Sequence, residues 1–246
     1  MSDHDQVPFT ETADVETASE DYARRFAGPV GEWFLDQQAR ATLALLSGLP
    51  PRARVLDVGG GHAQLTPALL GAGYEVTVVG SAVSCGARLS RWLAAGRCRF
   101  EVADLLALPY AAQSYDAVLS FRLLPHAAAW QALVRELCRV ARERVVLDYP
   151  STRSANVAAE RLFATKKRIE GNTRPFTLFR PDEIRRELAA NGFRVTASRP
   201  QFLWPMVFHR WIDRAAISKL LEAPGRFSGL LRLFGSPVIV RADRMN

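Results

Sequence analysis

Residues 54–70, RVLDVGGGHAQLTPALL, constrain the fold of this chain more than any other stretch. An apolar run ends in the acid Asp57, and the glycines Gly59, Gly60 and Gly61 follow before the apolar positions change to helical spacing. A strand, a tight turn and a helix in that order open a nucleotide-binding α/β unit. Glycines at such a turn permit backbone angles closed to other residues and let a ligand approach the main chain.

The residues around the turn favour one kind of ligand. A dinucleotide fingerprint needs a glycine at position 64, where the chain has Gln64, and no Lys-Ser/Thr pair of a phosphate-binding loop follows. Asp57, two residues before the first glycine, is a poor neighbour for phosphate and suits a ligand that carries positive charge. S-adenosylmethionine (SAM), with an ammonium and a sulfonium and no phosphate, is such a ligand.

The pattern Asp57-x-Gly59-x-Gly61 after an apolar strand resembles motif I of class I SAM-dependent methyltransferases. The resemblance covers roughly residues 20–200 and favours the "type 11" branch of small-molecule methyltransferases. It implies an α/β, Rossmann-like fold with a seven-stranded, mostly parallel sheet, helices on both faces and an antiparallel last strand. It also implies SAM as cofactor and S-adenosylhomocysteine as product. Further segments similar to the family are residues 22–43, 100–110, 114–142 and 176–195.

The resemblance also implies which residues contact the cofactor. In the family, an acid after the third strand lies near the adenine, the loop after the fourth strand lines the methyl-transfer cavity, and an N-terminal aromatic lies near the cofactor. The residues expected to bind the cofactor are therefore Asp57, Gly59, Gly60, Gly61, Gly80, Ser81, Asp104, Leu105, Ser120 and Tyr22.

One position departs from the family pattern. The second strand usually ends in an acid that holds the ribose hydroxyls, whereas this chain has Gly80 followed by Ser81. Neutral hydrogen bonds are weaker than those to a charged group. Three alternatives follow: SAM binds less tightly, its ribose is held from elsewhere, or the chain has lost the cofactor. The retained acid and glycines of motif I favour the first two.

A catalytic base is needed only where the acceptor nucleophile carries a proton. His126, at the end of the loop after the fourth strand, is the first candidate, because an imidazole titrates near neutrality. The alternative is that His126 caps the following helix or faces solvent. His209 is a second candidate, with an interfacial aromatic role as its alternative. Cys85, Cys98 and Cys138 lack metal-ligand spacing, so no metal site is expected, and a reducing cytoplasmic setting is the plain interpretation.

Alternating apolar patterns predict the order of elements, and the chain divides into an N-terminal helical cap and a core. The cap is expected at 1–50 and the SAM-binding core at 51–246, with helical insertions at about 151–180 and 201–235. Two short amphipathic helices separated at Pro224-Gly225 are expected in the second insertion. Strands are predicted at 53–58, 74–80, 98–103, 115–121, 144–149, 193–200 and 236–242, and helices at 29–47, 63–72, 83–95, 127–141, 153–170 and 181–191.

The charge of the chain is unevenly distributed. Residues 1–50 carry 3 basic and 9 acidic groups, whereas residues 151–246 carry 18 basic and 8 acidic groups, within a formal net charge of +7. The chain has no apolar run long enough for a membrane span and no signal-peptide pattern at the start of the sequence. Residues 201–235 combine aromatic side chains with arginines, which predicts a lid over an apolar substrate near a membrane surface, or, alternatively, a cover for the sheet edge or a dimer face.

The expected function is SAM-dependent methyl transfer to a small, apolar or amphipathic acceptor by in-line displacement. A non-catalytic SAM-fold protein with a binding or regulatory role is the alternative. It is favoured by Gly80, which stands where the family has an acid that holds the ribose. A nucleic-acid methyltransferase would explain the basic C-terminal third, but the chain has no appended RNA-binding module, so nucleic acid is not expected as a partner. An NAD(P) oxidoreductase is disfavoured by Gln64. Peripheral contact with membrane or lipid stays open, as does the oligomeric state.

Overall fold

The computed structural model describes residues 9–154 and 176–245. Its centre is a seven-stranded sheet in the order β3-β2-β1-β4-β5-β7-β6. Strands β1 to β5 are parallel to one another, and β7 is antiparallel to both β5 and β6, as predicted. The strands are β1 (Arg54–Val58), β2 (Glu75–Gly80), β3 (Cys98–Val102), β4 (Tyr115–Ser120), β5 (Ala141–Tyr149), β6 (Phe193–Phe202) and β7 (Ser236–Arg244).

Helices cover the sheet and follow the predicted alternation in most places. The longest, α3, buries Trp33, Phe34, Leu45 and Leu46, and the amphipathic α6 buries an apolar face against β4 and β5. The helices are α1 (Ala13–Thr17), α2 (Glu20–Ala23), α3 (Gly28–Leu46), α4 (Thr66–Gly71), α5 (Ser90–Ala94), α6 (Trp130–Val140), α7 (Pro181–Ala190), α8 (Met206–Ile212), α9 (Ala215–Phe227) and α10 (Leu230–Phe234).

The sheet order places a crevice at one edge. Strand β1 pairs with β2 on one side and with β4 on the other, so the chain reverses its direction of winding between β1 and β4. In open α/β sheets, ligands bind at the carboxyl ends of the strands at such a switch point. Residues 57–61, at the end of β1, lie at this position and are all buried.

Two predicted helices differ from the structure, and a third lies largely outside the described residues. The helix expected at 63–72 begins only at Thr66, because Ala63 has a φ of 58°, in the left-handed region. The helix expected at 83–95 is a 3₁₀ segment over Val83–Leu89 followed by the short α5. The helix expected at 153–170 falls largely outside the described residues.

The expected break at Pro224-Gly225 is wrong. Helix α9 continues through Pro224, and the chain leaves helical geometry at Gly229, which has a φ of 78°. Burial explains the difference, because Gly225 packs so closely on Leu203 that a Cβ on it would lie 2.6 Å from Leu203 Cδ2. Tertiary packing holds the turn containing Pro224 in the helix despite the missing backbone N–H.

Candidate functional site

The glycine turn after β1 has the tight geometry that its sequence predicts. Gly59 has a φ of 75°, and its N–H donates to the carbonyl of Val79 in β2 at 2.8 Å. A 3₁₀ turn over Gly60–His62 follows. A Cβ on Gly60 would collide with the Asp57 carboxylate, and one on Gly61 would collide with the carbonyl of Cys85. Both positions therefore require glycine for space rather than for flexibility.

Asp57 is the last residue but one of β1, and its carboxylate is out of contact with water. The residue is 1% exposed, and among the described residues neither of its carboxylate oxygens has a hydrogen-bond partner. Burial raises the pKa of Asp57 to about 7. A buried carboxylate without a partner is costly, and such groups concentrate at functional sites.

Asp14, from the N-terminal helix α1, lies where the family acid at the end of β2 is missing. A Cβ on Gly80 would lie 3.2 Å from Asp14 Oδ2. The Ser81 N–H donates to Asp14 Oδ2 at 2.7 Å, the Ser81 hydroxyl donates to Oδ1 at 2.5 Å, and the Cys85 thiol approaches Oδ2 at 3.3 Å. Asp14 is fully buried. A carboxylate therefore occupies the end of β2, although position 80 is glycine.

Helix α1 also lies close to the glycine turn. A Cβ on Gly59 would lie 2.8 Å from Leu123 Cδ2 and 3.5 Å from the Cβ of Asp14. Ala13 is buried in the same apolar cluster as Leu105 and Leu123. The N-terminal segment thus packs directly on the turn.

The residues after β3 lie beside this region. Gly80 pairs with Val102 in the sheet, which brings the chain from residue 103 onward next to the end of β2. Leu105 is fully buried, whereas Asp104 is half-buried and accepts the N–H of Leu106 at 2.9 Å. Asp104 and Leu105 are therefore adjacent to Gly80 and Ser81, as the family pattern implies.

The loop after β4 contributes polar groups to the same edge. Ser120 is fully buried, and its hydroxyl has no partner among the residues that the structure describes. Arg122, with a φ of 60°, donates its backbone N–H to Asp148 Oδ1 at the end of β5 at 2.6 Å. Burial raises the pKa of Asp148 to about 6, and the contacts with Arg122 oppose this rise.

His126 ends the 3₁₀ turn Leu124–His126, with its ring centroid 5.5 Å from that of Phe176. Helix α6 begins only at Trp130, with Ala129 as its N-cap, so His126 does not cap it. The imidazole is half-buried at the end of the loop, where the sequence predicts the candidate base.

His209 is unsuited to the role of base. It is fully buried, and its Nε2 lies 2.9 Å from Glu222 Oε1, with both side chains inaccessible to solvent. Its ring packs against Trp33 and Phe34 of α3 and against Phe202. The interfacial alternative describes His209 correctly.

Tyr22 lies within a group of aromatic and basic side chains beside the glycine turn. Its ring centroid is 5.9 Å from that of His62, and the Phe26 ring is 5.4 Å from His62. The Arg122 guanidinium lies 3.7 Å from the centroid of Phe26, and that of Arg25 lies 4.9 Å from the centroid of Tyr22. We call Tyr22, Arg25, Phe26, Gln38, His62, Arg122 and Arg210 the arginine cluster.

Three of the polar residues at this edge were not predicted from the sequence. Asp14 lies in the acidic segment of the predicted cap, Asp148 lies near the end of the strand predicted at 144–149, and Gln38 is one polar residue on a long helix. The signal for Asp14 was available, because a missing acid at Gly80 and an acidic N-terminal segment are complementary. Asp148 and Gln38 carry no comparable signal in the sequence.

Comparison with known proteins agrees with the geometry. Residues 55–144 match a family model described as a methyltransferase domain. A search of curated proteins finds no match. Within the described residues, no helix is long and apolar enough to cross a membrane.

Solved methyltransferase structures share the fold. Magnesium protoporphyrin IX methyltransferase from Synechocystis PCC 6803, solved with S-adenosylhomocysteine, has a TM-score of 0.62 at 18% identity over 91% of this chain and 92% of its own. A putative methyltransferase complexed with the Haloferax volcanii Trm112 activator has a TM-score of 0.65 at 14% identity over 96% and 100%. The Burkholderia thailandensis 1,6-didemethyltoxoflavin-N1-methyltransferase has a TM-score of 0.56 at 18% identity over 86% and 80%.

Proposed function

Because residues 55–144 match a methyltransferase-domain model, we propose that the chain is a class I SAM-dependent methyltransferase that transfers a methyl group from SAM to a small acceptor molecule. The observation that carries this proposal is Asp57, a buried carboxylate without a partner next to the glycine turn. Such a group is retained at a cost in stability, and a cationic ligand at the turn would offset that cost.

The residues at the edge of the sheet fit SAM. Asp57 would face its positive charge, the glycine turn would allow close approach, and Asp14 with Ser81 would hold the ribose hydroxyls from above the end of β2. Asp104 and Leu105 would lie beside the adenine. When bound, SAM supplies a sulfonium methyl group that an acceptor nucleophile takes by in-line displacement.

The protein's own contribution is alignment and exclusion of water. The buried hydroxyl of Ser120 and the loop from Ser120 to His126 would border the acceptor, and Tyr22 would close the N-terminal side. His126 remains the proposed base for an acceptor whose nucleophile carries a proton. The division into a cap at 1–50 and a core at 51–246 also remains a proposal.

Calorimetric titration of the purified chain with SAM and with S-adenosylhomocysteine tests the proposal. Binding of both, together with methylation of a small molecule from an acceptor panel, supports it. Binding without turnover on any acceptor would favour the non-catalytic alternative, and absence of binding would contradict both. Binding of tRNA or duplex DNA at moderate salt would instead favour a nucleic-acid methyltransferase.

Replacing Asp14 by Asn is expected to weaken S-adenosylhomocysteine binding about tenfold, because a hydrogen bond to a charged acceptor becomes a neutral one. The reason is specific to the ribose, so the 2′-deoxy form of the ligand should bind the wild type more weakly and show little further loss in Asp14→Asn. Calorimetry of the wild type and of Asp14→Asn, each with S-adenosylhomocysteine and with its 2′-deoxy form, measures both effects.

The exposed Asp21, on α2, provides the matched control, since Asp21→Asn removes an acid of the same segment without touching Ser81. Unchanged affinity in Asp14→Asn would exclude Asp14 as a ribose ligand. Tighter binding would contradict the prediction as well, and would mean that Asp14 holds α1 closed over the site.

We further propose that the acceptor is apolar or amphipathic and that helices α8 to α10 contact an anionic membrane surface. Large apolar side chains on these helices are exposed, with Trp211 at 81% and Phe227 at 93%. Four basic residues on the same helices and their connections are also exposed, which matches an anionic lipid surface: Arg214, Lys219, Arg226 and Arg232.

Vesicle flotation at low salt tests the membrane contact. The wild type should float with vesicles of mixed phosphatidylcholine and phosphatidylglycerol, and Trp211→Ser with Phe227→Ser should reduce the floated fraction severalfold, because apolar insertion is lost. Val83→Ser, which removes a 74% exposed apolar side chain elsewhere, is the control. Equal flotation of the double variant, or none by the wild type, would contradict the proposal.

A further inference from the structure

We propose that the arginine cluster binds a carboxylate group of the methyl acceptor, so that the substrate is an organic acid. This inference rests on the proposed methyltransferase function. It specifies one end of the acceptor, because an apolar or amphipathic molecule can carry a single carboxylate. Four observations support it: unpaired donors, excess positive charge, a neutral histidine donor, and a position along the sheet that is away from the ribose end.

The first observation is a set of buried hydrogen-bond donors that have no acceptor. Arg122 Nη2 donates to Gln38 Oε1 at 2.5 Å, which orients the amide so that Gln38 Nε2 points away from the arginine. The Arg122 guanidinium also interacts with the Tyr22 side chain. Within the described residues, Arg122 Nη1, Gln38 Nε2 and both ring nitrogens of His62, of which one carries the N–H, are buried and have no partner. Gln38 itself is 5% exposed. Buried donors without acceptors are rare in folded proteins, so these atoms indicate a missing ligand.

The second observation is charge. Arg122 lies at the centre of the cluster and Arg25 at its edge, over the Tyr22 ring. Partial burial and the charges of Arg25 and Arg122 lower the pKa of Arg210. The Arg210 guanidinium is therefore close enough to interact with the charges of both other arginines. Asp148 faces the cluster through the backbone N–H of Arg122. Among the described residues shown to interact with these three guanidinium groups, Asp148 is the one carboxylate, so the site is positive. Arginine matches carboxylate geometry in a bidentate manner.

The third observation is that His62 is a neutral donor. Burial, followed by the charges of Arg122 and Arg88, lowers the pKa of His62 to about 4. The imidazole is therefore uncharged near neutrality and keeps one N–H to donate. The Tyr22 and Phe26 rings meet His62 edge to face, so its ring orientation is held by packing.

The fourth observation is the position of the cluster along the sheet. Arg122 follows β4, and its neighbour Asp148 ends β5. The ribose and adenine candidates, Ser81 and Asp104, follow β2 and β3 on the opposite side of β1. The cluster thus lies past the glycine turn on the side away from the nucleoside, where an acceptor has to approach. We therefore assign the carboxylate to the acceptor rather than to the amino-acid end of SAM.

The test uses Arg122→Gln in the full chain with benzoate as the anionic probe and benzamide as its neutral counterpart. In the presence of S-adenosylhomocysteine, the wild type should bind benzoate at least about tenfold more tightly than benzamide, and Arg122→Gln should lose that preference. Arg52→Gln is the matched control, because Arg52 has a φ of 58°, close to the 60° of Arg122, so both substitutions meet the same backbone conformation. Arg52 is exposed and lies at the opposite end of β1 from the cluster. Gln38→Leu is a second variant that keeps Arg122 and should weaken benzoate binding in the same direction.

Other results would overturn the inference. Equal binding of benzoate and benzamide by the wild type, or an unchanged preference in a folded Arg122→Gln, contradicts it. If Arg122→Gln weakens S-adenosylhomocysteine at least tenfold but leaves methylthioadenosine unchanged, the cluster holds the cofactor's own carboxylate. Failure of the proposed function is distinguishable, because the wild type would then bind no S-adenosylhomocysteine, whereas benzoate binding can still be measured alone. Thermal melting of each variant identifies one that fails to fold.

Discussion

Asp57→Asn is expected to weaken S-adenosylhomocysteine binding by roughly 30- to 100-fold, the largest effect on ligand binding that we predict. The asparagine keeps the shape of the side chain beside Gly60 but removes the negative charge of Asp57. A ligand ammonium placed in this buried region would lose its counter-charge, and the remaining amide is a poor substitute. Isothermal calorimetry at neutral pH measures the change.

The same substitution should stabilise the unliganded protein at higher pH. Asp57 has its pKa raised by burial to about 7, above the value of about 4 in an unfolded chain, so the folded state holds the proton more tightly. Stability is therefore lost as the pH rises from about 4 to about 7, by up to roughly 4 kcal/mol. Asp57→Asn has no such loss.

Melting temperatures at pH 5 and pH 8 distinguish the wild type from Asp57→Asn. The wild type should lose more stability between these values than Asp57→Asn. In that variant the smaller loss from Asp148, whose pKa is about 6, is opposed by a gain from His62, whose pKa is about 4. Asp36→Asn, an exposed acid paired with Arg40, is the control for removing a carboxylate and should leave both ligand affinity and the pH profile unchanged. An Asp57→Asn variant with wild-type affinity would refute the role of Asp57 at the cofactor.

Glu222→Ala should destabilise the fold by about 3–5 kcal/mol, because it breaks a fully buried pair. Glu222 accepts the N–H groups of Leu203 at 2.9 Å and Trp204 at 3.0 Å and faces His209 Nε2 at 2.9 Å. The substitution leaves the buried His209 ring and the part-buried N–H groups of Leu203 and Trp204 without their acceptor and opens a cavity under α9. Thermal unfolding should show a decrease of roughly 10 °C in the melting temperature.

Glu222→Gln is the matched control for shape. The amide oxygen can still accept one of the backbone N–H groups, so this variant should lose clearly less stability than Glu222→Ala. S-adenosylhomocysteine affinity of the folded fraction should be unchanged in both, since Glu222 lies behind α3 and β6 rather than at the glycine turn. Equal stability of Glu222→Ala and the wild type would show that His209 and the backbone find other partners.

Much of the fold could be predicted from local sequence. Strand β1, the turn at Gly59 and strand β2 have apolar runs and glycines whose meaning does not depend on the rest of the chain. The expectation at Pro224 was wrong because a proline was weighed by its local propensity, whereas the close contact between Gly225 and Leu203 keeps the helix intact. Local propensity is a weak guide where packing opposes it.

The residues of the candidate site also divide into those that could be predicted from local sequence and those that could not. The glycine turn and Ser120 follow recognisable strands, so their proximity at one sheet edge could be predicted. The position of Asp14 in the site could not be predicted, because Asp14 and Gly80 are 66 positions apart in the sequence and no local pattern indicates their contact. Arg122 and Gln38 are also distant in sequence, and only their shared lack of acceptors marks them as a site.

The sequence by itself determined the α/β class, the parallel sheet with an antiparallel last strand, and the position of the ligand turn, since these depend on periodicity and on residues next to one another. Only the tertiary structure decided that Asp14 stands at the end of β2 in place of a side chain on Gly80, and that His209 is buried with Glu222. It also brought Arg122, Gln38 and His62 together as donors without acceptors. The physical reason is that burial and charge compensation depend on contacts between distant segments, and these exist only after the chain has packed.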